Sequence, residues 1–384
     1  MIANTTTLTA ERLPLTSLLA LAMAGFITIL TEALPAGVLS LMSRDLHTSE
    51  ALIGQTVTIY AFGSLLAAIP LTTATQGWRR RSLLLLAIGG FAAANTITAI
   101  TDSYAVLLGA RFVAGVCAGL VWALLAGYAA RMVPPHLQGR AIAVAMVGTP
   151  LALALGIPMG TALGNHLGWR VTFGLMSAMT VFLIVWILAR LPDFPGSTSE
   201  RRASLRGVFT LPGMRSVLFM TLAFVLAHNV FYTYIAPFLH AGGMGERIDA
   251  VLLTFGVASL FGIWGVGATV DRRLSVLILA SFLLFGISAI GFGIWPDTPA
   301  GIYASTIVWG LSFGGSATLF QTASAKVAGE SADVAQSMIV TVWNVGIAGG
   351  GIIGGLVLNH WGVTILPWTL VFMLVAGSAI AARR

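Results

Sequence analysis

The chain has 384 residues, of which 57% are hydrophobic and only 9% are charged, whereas soluble globular domains carry about 25% charged residues. This composition excludes a water-soluble protein and predicts an all-α membrane protein. The net charge of +7 comes from basic residues in short turns between apolar segments, so it reflects membrane topology and argues against a nucleic-acid partner. A single cysteine, Cys117, excludes a disulfide framework and a multi-cysteine metal site, and we expect neither metal nor cofactor.

Twelve segments are apolar and long enough to cross a bilayer, which takes about 20 residues as a helix. Charged residues or Pro and Gly turns bound each segment. The predicted spans, numbered 1 to 12 below, cover residues 15–42, 51–75, 82–101, 104–132, 140–165, 170–190, 214–240, 248–270, 274–295, 299–325, 333–358 and 364–382.

The basic residues predict the orientation of these spans. With the N-terminus inside, sixteen of the 20 Lys and Arg residues fall on the cytoplasmic side. Arg44, Arg170 and Arg247 fall outside, and Arg111 lies within span 4. Because positive charge is retained on the cytoplasmic side, we expect a multi-pass protein with both termini in the cytoplasm.

One long polar stretch divides the chain into two halves. Residues 192–213 read as a cytoplasmic linker between an N-terminal six-helix bundle, residues 1–191, and a C-terminal six-helix bundle, residues 214–384. The halves resemble each other, since span 5 ends in Asn-His-Leu-Gly at 165–168 and span 11 in Asn-His-Trp-Gly at 359–362. The twofold repeat predicts a site near the membrane midplane between two pseudo-symmetric bundles, as in secondary transporters.

The two ionisable residues well inside the first half are candidates for proton coupling. Glu32 lies in span 1 and Arg111 in span 4, each roughly 12 to 15 Å below the outer surface at about 1.5 Å per residue. Low dielectric favours the neutral form of a carboxyl group, so Glu32 could hold a proton when enclosed and release it to water. Arg111 stays charged and would bias Glu32 towards ionisation. The alternatives are a wetted carboxylate near Pro35 and an arginine that binds backbone carbonyls.

A set of polar and aromatic residues near the midplane supplies candidate substrate contacts. Pockets for small molecules are mostly apolar with a few polar groups, and these residues fit that description, although each on its own is more often a packing residue. The predicted substrate-binding residues are Trp122, His228, Asn229, Tyr232, Gln321 and Asn344. His228 could relay protons, but hydrogen bonding by neutral imidazole accounts for it equally well.

Glycines recur at multiples of four in span 5, at Gly148, Gly156 and Gly160, with Pro158 among them. Such stripes allow close helix approach, and the seams they form are where the halves could rock. No metalloprotease, phosphate-loop or nucleophile-elbow motif is present, so we expect no enzymatic activity.

The motifs resemble the major facilitator superfamily, in its twelve-span drug/proton antiporter group, and particularly the bacterial sugar, purine and chloramphenicol efflux permeases. The acidic motif Thr31-Glu32 with Pro35, the arginine motif around Arg111, and Gly156-Ile157-Pro158-Met159-Gly160 carry this resemblance over essentially the whole chain. It implies that spans 1, 4, 7 and 10 line the cavity and that the protein lies in a bacterial plasma (inner) membrane.

The loop motif of that superfamily is split between the halves. Thr75 stands about where its aspartate is expected after span 2, whereas Asp271 and Arg272 survive after span 8. We therefore expect Asp271 and Arg272 to serve in gating, and the second half alone to supply the inner charge pairing.

Together these features predict proton-coupled efflux of a small organic molecule, such as a sugar, nucleoside or drug, by alternating access. A uniporter or importer of the same fold without proton coupling is the alternative, and a membrane enzyme or receptor lacks the polar machinery it would need. The expected partners are the substrate, protons and the lipid bilayer, with the protein acting as a monomer.

Overall fold

The computed structural model describes residues 13–48, 50–196 and 204–382 and is almost entirely helical. Within that part of the chain, ten helical ranges are long and apolar enough to cross a membrane. Two of these ranges each hold two predicted spans, 250–294 for spans 8 and 9 and 299–361 for spans 10 and 11. The predicted all-α fold of twelve spans in two pseudo-symmetric bundles is confirmed.

The helix bounds follow the predicted spans within a few residues. The helices are α1 Leu15–Gly37, α2 Leu39–Asp45, α3 Glu50–Ala74, α4 Arg80–Ile100, α5 Tyr104–Arg131, α6 Gln138–Met146, α7 Gly148–Leu151, α8 Ile157–Leu167, α9 Trp169–Arg190, α10 Leu205–Phe209, α11 Met214–Thr233, α12 Ile235–Ala241, α13 Ile248–Ile294, α14 Pro299–Gly314, α15 Ser316–Ala328, α16 Ala332–Trp361 and α17 Leu366–Ala381. Non-helical angles at Arg273 separate spans 8 and 9 within α13.

Span 5 changes its helix type in the middle. A π-helical turn, Ala152–Gly156, joins α7 to α8. Pro158 has no N–H for the carbonyl four residues earlier, so the regular hydrogen-bond ladder cannot continue through this turn.

The internal repeat is visible in the backbone. Gly168 and Gly362 end spans 5 and 11 with positive φ angles of 90° and 83°, a conformation that favours glycine. Spans 1 and 7 break at Val38 and Tyr234 with nearly equal angles, φ −118°, ψ 19° and φ −113°, ψ 19°. When Val38 is aligned with Tyr234, His228 is the residue of the second half that corresponds to Glu32 of the first.

One end of the molecule carries most of the basic side chains and is called the arginine-rich end. Its described members are Arg79, Arg80, Arg81, Arg131, Arg140, Arg190, Arg206, Arg215, Arg272, Arg273 and Lys326. The apolar core of the first half extends here to Ala325 and Ala332 of the second half. The two halves therefore pack against each other at this end.

The segment that follows span 6 packs against the arginine-rich end of the first half. Asp193 accepts hydrogen bonds from Arg79 Nε at 2.5 Å and from the backbone N–H of Arg81 at 3.2 Å, so its carboxylate also caps the N-terminus of α4. Tyr128 donates to the carbonyl of Pro192 at 2.6 Å and packs edge-on against Phe194. The remainder of the predicted linker, residues 197–203, lies outside the described residues.

We expect Asp193→Asn to lower the free energy of unfolding at pH 7 by about 1 kcal/mol or less, because Arg79 is largely exposed. The hydrogen bond from Arg79 lowers the pKa of the Asp193 carboxyl from its ordinary value. The stabilisation is thus present above about pH 4 and is lost as the pH falls through the lowered pKa. Thermal unfolding of the detergent-solubilised wild type and Asp193→Asn variant, at pH 7 and below about pH 4, measures this difference in stability. A difference at the lower pH as large as that at pH 7 would contradict the prediction.

Candidate functional site

A cavity of about 150 Å³ lies between the two halves. Its polar and aromatic lining includes Glu32, Tyr60, Ser64, Trp122 and Thr149 from the first half and Gln321, Trp343 and Asn344 from the second. The structure thus brings together four predicted site residues, Glu32, Trp122, Gln321 and Asn344. We call this space the central cavity.

Glu32 is the one ionisable carboxyl group among the described residues that line the central cavity. The part of the chain that the structure describes contains no ion pair between Glu32 and Arg111. Because Glu32 lines the central cavity, it borders the space that a ligand would occupy.

Arg111 is completely buried and binds the backbone of span 1. Its Nη1 donates to the Thr31 carbonyl at 2.5 Å and its Nη2 to the Glu32 carbonyl at 3.2 Å. Pro35 lacks the N–H that would otherwise bond Thr31 O, so Arg111 satisfies a carbonyl that the proline leaves free. The guanidinium also lies 4.9 Å from the centre of the Tyr60 ring, where a cation–π interaction stabilises it. These contacts match the alternative of an arginine that binds backbone carbonyls.

The predicted site residues of span 7 lie elsewhere. Tyr232 and Pro158 line a neighbouring cavity of about 340 Å³, called the second cavity. His228 is buried behind it and stacks on Phe313, with ring centres 3.6 Å apart. Asn229 donates to the Val225 carbonyl and packs against span 11, and neither His228 nor Asn229 is among the lining residues of the two cavities.

The glycines of span 5 differ in what they allow. A Cβ at Gly148 would overlap the backbone of Ala22 in span 1, so this position permits a close approach of spans 1 and 5. At Gly156 and Gly160 a Cβ would meet the tips of the Phe26 and Leu34 side chains, which can move. Only the contact at Gly148 involves backbone, which cannot move aside as a side chain can.

We expect Gly148→Ala to destabilise the protein by about 1–3 kcal/mol, because spans 1 and 5 must separate to admit the methyl group. Gly109→Ala is the matched control, since a Cβ there meets open space and alanine favours the helix. Thermal unfolding midpoints of the two purified variants give the comparison. Equal midpoints would show that the span 1–span 5 contact adapts without cost.

Asp271 joins the halves at the arginine-rich end. Its carboxylate accepts from the backbone N–H groups of Gly139 at 2.5 Å and Arg140 at 3.2 Å, so it caps α6 from the other half, where the helix dipole favours an anion. The Arg140 side chain approaches the same carboxylate at 3.8 Å. Arg272, by contrast, is exposed.

A second ionic contact between the halves lies at Asp333, in the first turn of α16. Arg131 binds both carboxylate oxygens of Asp333 at 3.0 Å, and Arg80 approaches one of them at 2.9 Å. Asp333 and Arg80 are 3% and 1% exposed. Both acids of these contacts, Asp271 and Asp333, belong to the second half, whereas the arginines that they contact belong to the first half.

The family model for the Major Facilitator Superfamily matches residues 21–351 of this chain. The chain belongs to the Major Facilitator Superfamily. It is therefore a secondary transporter of small molecules rather than an enzyme, and a multi-pass membrane protein.

Relatives and solved structures agree with this membership. The purine ribonucleoside efflux pump NepI of Escherichia coli (strain K12) is 29% identical over 360 residues, which cover 92% of this chain and 90% of that protein. The human organic anion transporter MFSD10 superposes with a TM-score of 0.79 at 13% identity, covering 97% of this chain and 100% of that chain. The proton:xylose symporter XylE gives 0.77 at 13% identity, with 97% and 95% covered. At such identities the structures show a shared fold.

Proposed function

We propose that this transporter exports a small organic molecule in exchange for protons, with Glu32 as the residue that carries the proton. The observation that supports this most is the position of Glu32. It lines a cavity formed by both halves, and a carboxyl group in a low-dielectric site exchanges its proton when the site opens to water or accepts a ligand. Arg111 then acts as a positioning residue, because it holds the span 1 backbone on both sides of Glu32.

We propose that the arginine-rich end faces the cytoplasm and that the described conformation is closed there. Positive charge is retained on that side of bacterial membranes. The contacts of Asp271 with α6 and of Asp333 with Arg80 and Arg131 join the halves at this end. Substrate release to the outside would precede the rupture of these contacts. The linker, residues 192–213, would tie an N-terminal bundle of residues 1–191 to a C-terminal bundle of residues 214–384 on the cytoplasmic side.

The first substrate class to test is the purine ribonucleosides. NepI, which aligns over 92% of this chain, is named for their efflux. The central cavity offers hydrogen-bonding groups from Glu32, Gln321 and Asn344, which suit the hydroxyl groups of a ribose. Asn344 already uses its Nδ2 to bind the Val340 carbonyl, so its Oδ1 remains to accept from a ligand.

Proteoliposomes with an imposed pH gradient test the proposal. We expect a labelled purine ribonucleoside to accumulate on the side from which protons leave, and to lose this accumulation when an ionophore collapses the gradient. Sugars, amino acids and drugs are assayed in parallel. Transport that ignores the gradient for every compound would contradict antiport and favour a uniporter.

A further inference from the structure

The second cavity adjoins the central cavity and has a different character. The two share the lining residues Met146, Thr149, Ala317 and Trp343, so one ligand can extend from one into the other. Besides the shared Trp343, three aromatic side chains line the second cavity: Tyr232, Phe255 and Phe313. Among the described residues of this lining, none carries a charge.

The internal repeat relates one wall of each cavity, since Tyr60 lines the central cavity and Phe255 lines the second. Gly115 approaches the carbonyl of Tyr60, and Gly310, 195 residues later, approaches the carbonyl of Phe255 in the same way. This register makes Phe255 the counterpart of Tyr60 and Thr306 the counterpart of Arg111. The second half therefore has the apolar ring of Phe255 where the first half has Tyr60, and the uncharged Thr306 where the first half has Arg111.

Buried rings pack against the aromatic side chains that line the second cavity and fix their positions. The His228 ring stacks on Phe313 at 3.6 Å and on Tyr232 at 5.2 Å, with interplanar angles of 14° and 21°. Phe255 packs against the buried Trp309 at 4.4 Å. Rings fixed in this way lose little conformational entropy when a flat ligand stacks on them.

We propose that the second cavity binds the planar ring of the transported molecule, while the central cavity binds its hydrogen-bonding part. This inference rests on the proposed function. It assigns the substrate to a class: an uncharged aromatic heterocycle joined to a hydroxyl-bearing group. A nucleoside belongs to that class, whereas a nucleotide would bring a phosphate towards the Glu32 carboxylate in a low-dielectric site.

Binding to the full-length purified protein tests this assignment, with a labelled purine ribonucleoside and ribose as probes. Phe255→Leu should lower the ratio of nucleoside to ribose affinity by about tenfold, because one stacking partner is lost. Phe261→Leu is the matched control: it is the same change on the same helix, at a residue 63% exposed and outside both cavities. Tyr232→Leu, at a partly exposed position, gives a second test should Phe255→Leu fail to fold.

Three results would overturn the assignment. In the first, the ratio of nucleoside to ribose affinity is the same in Phe255→Leu, Tyr232→Leu and Phe261→Leu. In the second, the wild type binds ribose as tightly as the nucleoside. In the third, native mass spectrometry shows a phospholipid bound to the wild type that is lost in Phe255→Leu, while the nucleoside affinity stays unchanged. An acyl chain would then be the occupant of the second cavity. None of these results removes pH-driven transport, so failure of this assignment is distinguishable from failure of the proposed function.

Discussion

Glu32→Gln should abolish the accumulation of substrate against its gradient when a pH difference is imposed across proteoliposomes. Glutamine keeps the size of the side chain and its place in the central cavity but cannot take up or release a proton at any accessible pH. Substrate affinity should also lose its pH dependence, because the competition between proton and ligand for one carboxyl group disappears.

Asp102→Asn is the control for this prediction, since it removes a carboxylate that is 92% exposed and pairs with Arg170 within the first half. This variant should accumulate substrate as the wild type does. Gradient-driven accumulation that survives in Glu32→Gln would place the proton elsewhere and remove Glu32 from the coupling mechanism.

Asp333→Asn should open the arginine-rich end. The substitution leaves Arg80 buried without its ion-pair partner, and its Nε and Nη1 already lack hydrogen-bond partners. Removing one member of a buried ion pair costs about 3–5 kcal/mol, which shifts the equilibrium between the closed and open forms of this end by more than about a hundredfold.

Labelling of a single introduced cysteine measures the opening. Ser337→Cys, one helical turn after Asp333 and fully buried, replaces a hydroxyl by a thiol in a Cys117→Ser background. With Asp333→Asn, this cysteine should react with a soluble maleimide more than about tenfold faster. Asp297→Asn, an exposed acid at the other end of the same half, is the control. Equal labelling rates would show that Asp333 does not hold the halves together.

The sequence predicted the fold well because lipid imposes a strong and simple pattern. Twelve apolar segments bounded by charges are visible without any tertiary information, and the repeated Asn-His motif before Gly168 and Gly362 matches the positive φ angles found there. The break of span 1 at Val38 was not predicted, because the span is continuous in hydropathy and only the backbone reveals the kink.

The candidate site was predicted in part. Glu32, Trp122, Gln321 and Asn344 meet at one cavity as polar or aromatic residues near the midplane should, but equal depth could not tell whether Arg111 faces a carboxylate or a carbonyl. The carbonyl freed by Pro35 is a signal that sequence reasoning could have used, since a proline in a helix interior removes the N–H donor for the carbonyl four residues earlier.

The residues that sequence reasoning missed depend on tertiary contacts. Asp333 lies in the first turn of its helix, where an acid is usually explained by its favourable interaction with the helix dipole. Its two arginine partners are far from it in sequence. Phe255 and Phe313 are two phenylalanines among 20. Only packing shows that they line a cavity beside Trp343.

Proton release on substrate binding tests the central claim most directly. Purified protein in a weakly buffered solution, at a pH where Glu32 holds its proton, is mixed with a saturating purine ribonucleoside, and the pH change is followed with an indicator dye. The wild type should release protons in proportion to bound substrate, and Glu32→Gln should bind without any release. Substrate binding by the wild type with no proton release, or equal release by Glu32→Gln, would contradict the account.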